Sequence, residues 1–196
     1  SGHVDDVQET FTKLSPPPPF DLAAIQSEVY RHFHLSPSQT LGILERLYLR
    51  ALISYPRTSS QRLPPSIGYR QILGGLRQYA EYMVLSSELL SKSDLRPVEG
   101  KKIDPAHPAI YPTGERSGSK LDARESKILD LVIRRFMAAF APTATRFGQR
   151  ATLKIANEYL FYIQGSRLAD RGWIRFYEPY FKTTEASLPP LRVEQE

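Results

Sequence analysis

The sequence contains no cysteine. That single absence removes disulfides, thiolate nucleophiles and thiolate-bound zinc together, so any nucleophile must be a hydroxyl, a lysine or a carboxylate. Also missing is any apolar run near the roughly 20 residues that span a bilayer. The first residues lack the basic flank, apolar stretch and cleavage site of a secretory signal. A soluble, intracellular protein without a membrane partner is expected. Ser1-Gly2-His3 reads as a scar of tag removal and is left out of the fold reasoning. There is no internal repeat. What is present suffices for a core: 196 residues with 41% hydrophobic content allow one large domain or two modest ones. Lysine and arginine number 26 against 21 acidic residues, a net charge of +5. Such a surplus favours a polyanionic partner, because neutralised phosphates release counterions, although an ordinary solvated surface carries it equally well.

Proline and cap residues punctuate the chain. Pro16-Pro17-Pro18-Pro19 excludes helix interior and central strand and predicts an extended connector. Before it, Val4 to Leu14 alternates like a strand; after it, Asp21 caps a helix carrying Leu22, Ile25, Val29 and Phe33 to about His34. Ser36-Pro37 starts a second helix, with Leu41, Leu44, Leu47, Tyr48 and Ala51 as its apolar stripe. The pair reads either as a helix-turn-helix or as an ordinary helical hairpin in a core. Pro56 keeps Leu52-Ile53-Ser54-Tyr55 extended. A third helical pattern opens at Ser66 and runs through Ile67, Ile72, Leu76 and Tyr79; Ser86 to Ser93 holds a short fourth; residues 94–120 read as loop. Asp122-Ala123-Arg124-Glu125 is a capping box for a long helix to about Ala141, stopped by Pro142. Beyond it, Ala151–Ala156, Tyr159–Gln164 and Trp173–Glu178 predict strands of a small antiparallel sheet, the first two joined by a turn at Asn157-Glu158. The tail from Lys182, with Pro189-Pro190, is expected to be partly disordered.

Chemistry concentrates in Leu52-Ile53-Ser54-Tyr55-Pro56-Arg57-Thr58-Ser59-Ser60. A tyrosine in an extended turn, with an arginine two residues on and several hydroxyls, has what phosphoryl transfer needs: a phenol to attack phosphorus, a guanidinium for the non-bridging oxygens, and further donors. A tyrosine in a turn is equally an ordinary half-buried packing residue. Arg46 and Arg50, one helical turn apart, either track phosphates or are solvated partners of Glu45 and its neighbours. His32 and His34 read as cap or surface residues rather than metal ligands, and Trp173 and Tyr162 as sheet packing rather than base-stacking platforms.

Leu44-Glu45-Arg46-Leu47-Tyr48 followed by Leu52 to Ser60 resembles the active-site signature of type IA DNA topoisomerases, and Gln61-Arg62-Leu63-Pro64-Pro65 leans toward the archaeal topoisomerase I and topoisomerase III branch. A second match is Ala106-His107-Pro108-Ala109-Ile110-Tyr111-Pro112-Thr113, where the family carries a histidine close to the scissile phosphate. A weaker third is the long helix with Arg134-Arg135-Phe136 and the strands closing on Gly172-Trp173. The resemblance implies an α+β chain: a helical, winged-helix (CAP-like) domain bearing the tyrosine at 21–142, inserted into a β-rich arch domain formed by the strand and connector of 1–20 and the strands of 143–182, with a tail at 183–196. It implies Tyr55 as the nucleophile of a 5′-phosphotyrosine intermediate, Arg57 as the phosphate clamp and His107 as a hydrogen-bond donor to the phosphate. Arg46, Arg50, Thr58 and Ser59 follow as DNA contacts. Many members have aspartate where this chain has Ser59, which leaves that carboxylate's role open. The family's magnesium is held by an acidic cluster in a separate Toprim domain; nothing in this sequence fits it, and Asp5-Asp6 reads as a surface pair. The chain is therefore expected to be a monomeric fragment with one half of a split site. Single-stranded DNA and the remaining domains are its partners, and magnesium is needed only in the full-length, ATP-independent isomerase. The alternatives are a non-catalytic winged-helix module that contacts duplex DNA and a structural α+β domain with a basic surface.

Overall fold

Runs of β-branched and aromatic residues place three segments in strands. In the computed structural model, which describes residues 2–155, 159–189, 191 and 193, β1 (Gly2–Leu14), β2 (Ala144–Ile155) and β3 (Tyr159–Asp170) form an antiparallel sheet in the order β1-β2-β3. Gly2 lies opposite Ile155 and Leu14 opposite Ala144, with one bulge between Val4 and Asp6. Gly2 and His3, set aside as a scar, thus belong to the ladder, which is made by backbone groups whatever the side chain. This sheet, Pro142–Gly172 and the segment from Phe181 form one compact unit; Pro16–Ala141 and Trp173–Tyr180 form the other.

Two strands are longer than their composition predicts, because Gly148 and Gly165 interrupt the β-forming runs. Gly165 has a reason to be there: a Cβ would collide with the carbonyl of Ala186, which pairs with Ser166 in both directions at 2.8 and 3.1 Å. The tail near Ala186 is therefore bridged to β3 rather than free. Tyr162 lies exposed on β3 with the Arg150 guanidinium 5.1 Å over its ring. The Asn157-Glu158 turn, Ala156 and Pro190 lie outside the described residues.

The expected strand at Trp173–Glu178 is instead two 3-10 turns, Gly172–Phe176 and Glu178–Tyr180. Trp173, Ile174, Phe176, Tyr177 and Tyr180 are all buried, a spacing that suits a helical turn and not the two-residue period of a strand. Trp173 packs near Tyr177, at 6.3 Å between rings.

Five helices build the other unit: α1 (Leu22–Phe33), α2 (Pro37–Leu49), α3 (Tyr69–Leu76), α4 (Met83–Leu90) and α5 (Ala123–Ala139). The cap signals act as read. Asp21 accepts from Ala24 N at 2.7 Å, and both Ser36/Gln39 and Asp122/Glu125 close capping boxes. Each such cap contributes about 0.5–2 kcal/mol. The α2 stripe differs: Thr40, Ile43, Leu44 and Leu47 are buried, while Tyr48 is 42% exposed and Ala51 lies beyond the helix. Ser66 does not open α3, because Pro65–Ile67 is a separate 3-10 turn and Gly68, at φ 78°, restarts the chain at Tyr69. Within α5, Ile128, Leu131, Val132, Phe136 and Met137 are buried. Buried Arg135 donates to Pro18 O at 2.9 Å and lies 4.2 Å over Phe20, which fixes the proline connector.

Candidate active site

The tyrosine turn begins where α2 stops. Ala51 adopts φ 57°, Leu52 N donates to Leu47 O at 3.0 Å, and Ala51 N donates to Tyr48 O at 2.8 Å, the two bonds of a Schellman ending. Glycine normally fills that left-handed position, since a Cβ there costs roughly 1–2 kcal/mol. Ala51→Gly is therefore expected to stabilise the chain by about 0.5–1 kcal/mol, once the extra freedom of glycine in the unfolded state is subtracted. Chemical denaturation reads this directly, and a lowered midpoint refutes it.

Past the helix end, two segments distant in sequence are laced together. Leu52 and Ile53, each 2% exposed, anchor the outgoing strand-like stretch, and Ile53 forms a bridge with Pro112. Thr113 N donates to Leu52 O at 3.0 Å, Ser54 N to Tyr111 O at 2.9 Å, and Tyr111 N to Ser54 Oγ at 3.0 Å. Thr113 Oγ1 adds a bond to Ala51 O at 2.7 Å. Thr58 N then closes a tight turn on Pro56 O at 3.0 Å, and Leu22 N donates to Thr58 O at 3.0 Å, tying the turn to the start of α1. The signature around Tyr55 and the segment around His107 are thus one local structure.

Tyr55 is half-buried at its apex. Its ring lies 4.7 Å from that of His107 and 5.4 Å from that of Tyr48, the latter edge-on. Arg57 is exposed and points to Glu45, donating from Nε at 2.9 Å and from Nη2 at 2.5 Å. Thr58 is buried; its hydroxyl donates to His107 O at 3.3 Å and accepts from Ser60 N at 3.0 Å. Exposed Ser59 donates from both N and Oγ to Asp104 Oδ2, each at 3.3 Å. The N–H groups of Ala106, Ser59 and His107 hold the Asp104 carboxyl below the usual carboxylate range. Burial pushes the Tyr111 phenol up.

Tyr55, Thr58, Ser59 and His107 therefore come together, while Arg57, Arg46 and Arg50 are each engaged by a carboxylate. Arg46 Nε and Arg50 Nη1 donate to the two oxygens of Glu125, at 2.9 and 3.0 Å. That carboxyl is 5% exposed and is held below its ordinary pKa, chiefly by Arg46. The two arginines fasten α2 to the first turn of α5, and Glu45, their expected neighbour, serves Arg57 instead. The sequence reading missed Glu45 and Asp104. Asp104 had a signal, since an aspartate followed by proline starts a side-chain-capped turn.

His34 is the left-handed C-cap of α1, and His32 pairs with Glu28 at 3.1 Å against Tyr180, so both are structural. The two carboxylates bonded to the tyrosine turn, Glu45 and Asp104, are engaged by a guanidinium and by amides. Among the described residues no three His, Asp or Glu converge as a metal requires. Nor is any helix of the described residues long and apolar enough to cross a membrane. All of the basic surplus falls in the helical unit, and the sheet unit is balanced.

A family model described as DNA topoisomerase matches residues 1–196. DNA topoisomerase 1 of Pyrococcus horikoshii is 43% identical over 188 residues, covering 95% of this chain and 27% of that protein. The protein of the same name from Methanocaldococcus jannaschii is 43% identical over 194 residues, covering 98% and 25%. At greater distance, DNA topoisomerase 3 of Caenorhabditis elegans is 26% identical over 176 residues, 90% of this chain and 23% of that one. The structure of full-length topoisomerase I from Thermotoga maritima matches with a TM-score of 0.74 at 20% identity, over 99% of this chain and 32% of that chain, which is a likeness of fold.

Proposed function

Because the chain belongs to the DNA topoisomerase family, we propose that it is the nucleophile-bearing part of a type IA enzyme, an isomerase that changes DNA topology by cutting and resealing one strand. The observation that carries this is the meeting of Tyr55 and His107, rings 4.7 Å apart, across two segments knitted by backbone bonds. In the reaction the Tyr55 phenol attacks phosphorus, the bond to the 3′ oxygen breaks, and a 5′-phosphotyrosine and a 3′-hydroxyl result. The phenolic proton is lost as the leaving oxygen gains one, and resealing is the reverse. One ester replaces another, so no ATP is consumed.

Arg57 neutralises the non-bridging oxygens and His107 donates to the phosphate. Reaching it requires Arg57 to release Glu45. Side chains 53% and 40% exposed make that pair inexpensive to open, since exposed ion pairs contribute about 0–1 kcal/mol. Magnesium in the full-length enzyme belongs to a Toprim domain outside this chain. The helical unit is proposed as the winged-helix-like gate domain, and the sheet as part of the β-rich arch. Single-stranded DNA and the rest of the same monomeric, intracellular protein are the partners.

Denaturing the full-length enzyme on labelled single-stranded DNA is expected to trap a covalent adduct on the Tyr55 peptide. Duplex binding without any adduct would favour a non-catalytic winged-helix module. The chain by itself is expected to bind single-stranded oligonucleotide weakly and to cleave it inefficiently, since positioning by the missing half of the site supplies much of the rate. Its binding should weaken as salt rises, with a log–log slope of about −0.7 per phosphate neutralised. Anisotropy titrations across a salt series measure this, and salt-independent binding contradicts it.

A further inference from the structure

Residues 103–108 have no regular secondary structure, yet they carry the side chain that stands against Tyr55. Backbone bonds anchor the stretch on either side: Gln61 N donates to Lys102 O at 3.0 Å, and Ala109 N to Arg62 O at 2.8 Å. Between those anchors one carboxylate does most of the tying. Asp104 Oδ1 accepts from Ala106 N at 2.9 Å and His107 N at 3.1 Å, and Oδ2 accepts from the amide and hydroxyl of Ser59, both at 3.3 Å. His107 is thus gripped at both ends of its own backbone, its N–H by Asp104 and its C=O by the Thr58 hydroxyl at 3.3 Å. Pro105 and Pro108 restrict the residues that precede them to extended conformations, so the loop has little freedom once Asp104 is seated.

We propose that Asp104 is a positioning residue for DNA cleavage: its carboxylate couples the histidine loop to the tyrosine turn and so sets His107 relative to Tyr55 and the phosphate. This rests on the reading of Tyr55 as the nucleophile. Asp104 faces solvent in part and Ser59 is exposed, so the link lies outside the buried core. The geometry of the site does. Four donors converge on one carboxylate, and only an acceptor at this place serves both loops. An asparagine keeps the acceptor oxygen that the Ala106 and His107 amides need but loses the charge and puts an NH2 donor where Oδ2 accepts from Ser59, and an alanine loses both acceptors.

The test compares Asp104→Ala, Asp104→Asn, His107→Ala and the Asp104→Ala/His107→Ala double variant in the full-length enzyme, reading single-turnover cleavage of bound single-stranded DNA, affinity and melting temperature. Asp104→Ala is expected to slow cleavage by about 10- to 100-fold, the scale of a displaced catalytic group, with affinity and melting little changed. Asp104→Asn should recover part of the rate. Because Asp104 acts through His107, the double variant should be no slower than His107→Ala alone. Losses that multiply in the double variant overturn the proposal, as does a loss confined to affinity or to melting. Tyr55→Phe run alongside separates the two readings. If it abolishes the adduct while the losses multiply, only the role of Asp104 falls; if the adduct persists, the nucleophile assignment falls and the role of Asp104 with it. In this chain alone, hydrogen exchange at the Ala106 and His107 amides should accelerate in Asp104→Ala and stay slow in Asp104→Asn; unchanged protection in the alanine variant also overturns it.

Discussion

Tyr55→Phe in the full-length enzyme is expected to abolish covalent attachment to DNA and leave single-strand binding and folding intact. The substitution removes one oxygen. The ring keeps its contacts with Tyr48 at 5.4 Å and His107 at 4.7 Å, and the turn itself is held by Leu52, Ile53 and Ser54 through bonds that do not involve the phenol. What disappears is the one atom of that side chain that can form the ester. Tyr48 is the nearby phenol that could mask the result, but it sits on α2, before the Schellman ending that turns the chain toward Tyr55. Peptide mapping of the trapped adduct distinguishes the two. An undiminished adduct in Tyr55→Phe, or label on the Tyr48 peptide of the unmodified enzyme, removes Tyr55 as nucleophile.

The helices that sequence makes legible are those whose ends carry their own chemistry. Asp21, Ser36-Pro37 and Asp122 with Glu125 each satisfy local backbone donors, so the start of α1, α2 and α5 needs no tertiary information. Interruptions were harder to see. Gly68 at positive φ breaks one apolar pattern into two pieces, and Gly148 and Gly165 hide the full length of β2 and β3 because their fitness depends on what crosses the sheet there. Trp173–Glu178 misled for a related reason: aromatic and β-branched content suits a strand, whereas its burial period suits a turn packed into a core.

Within the site, contiguous residues were legible and their partners were not. Tyr55, Arg57, Thr58 and Ser59 share one turn, and a motif names them together. Which carboxylate faces which guanidinium depends instead on side chains from separate elements. Arg46 and Arg50 read as phosphate contacts, and nothing near them in sequence announces their shared carboxylate partner, Glu125 at the start of α5. Glu45 lies beside Arg46 in sequence yet pairs with Arg57, since the α2 ending folds the turn back along the helix. Asp104 is the same kind of case, a loop residue whose importance arises only when its loop meets Ser59.

Arg57→Ala and His107→Ala are each expected to lower the rate of cleavage of bound DNA by about 10²- to 10³-fold, the usual consequence of deleting one donor aimed at developing phosphate or oxyanion charge. Affinity for single-stranded DNA should change far less. Arg57 in the free protein is already satisfied by Glu45 at 2.5–2.9 Å, so binding exchanges one anionic partner for another and gains little net energy. The transition state differs from that ground state: charge gathers on the non-bridging oxygens, and a planar fork meets two of them at once. Arg57→Lys, a point charge without the fork, should therefore keep affinity and restore only part of the rate. For His107 the expectation is the same in direction. Its ring is held against Tyr55 by a loop tied at both ends. Single-turnover cleavage at saturating enzyme, with affinity measured separately, discriminates between the roles. If either alanine variant binds poorly yet cleaves what it binds at the unmodified rate, that residue anchors DNA and takes no part in the chemistry.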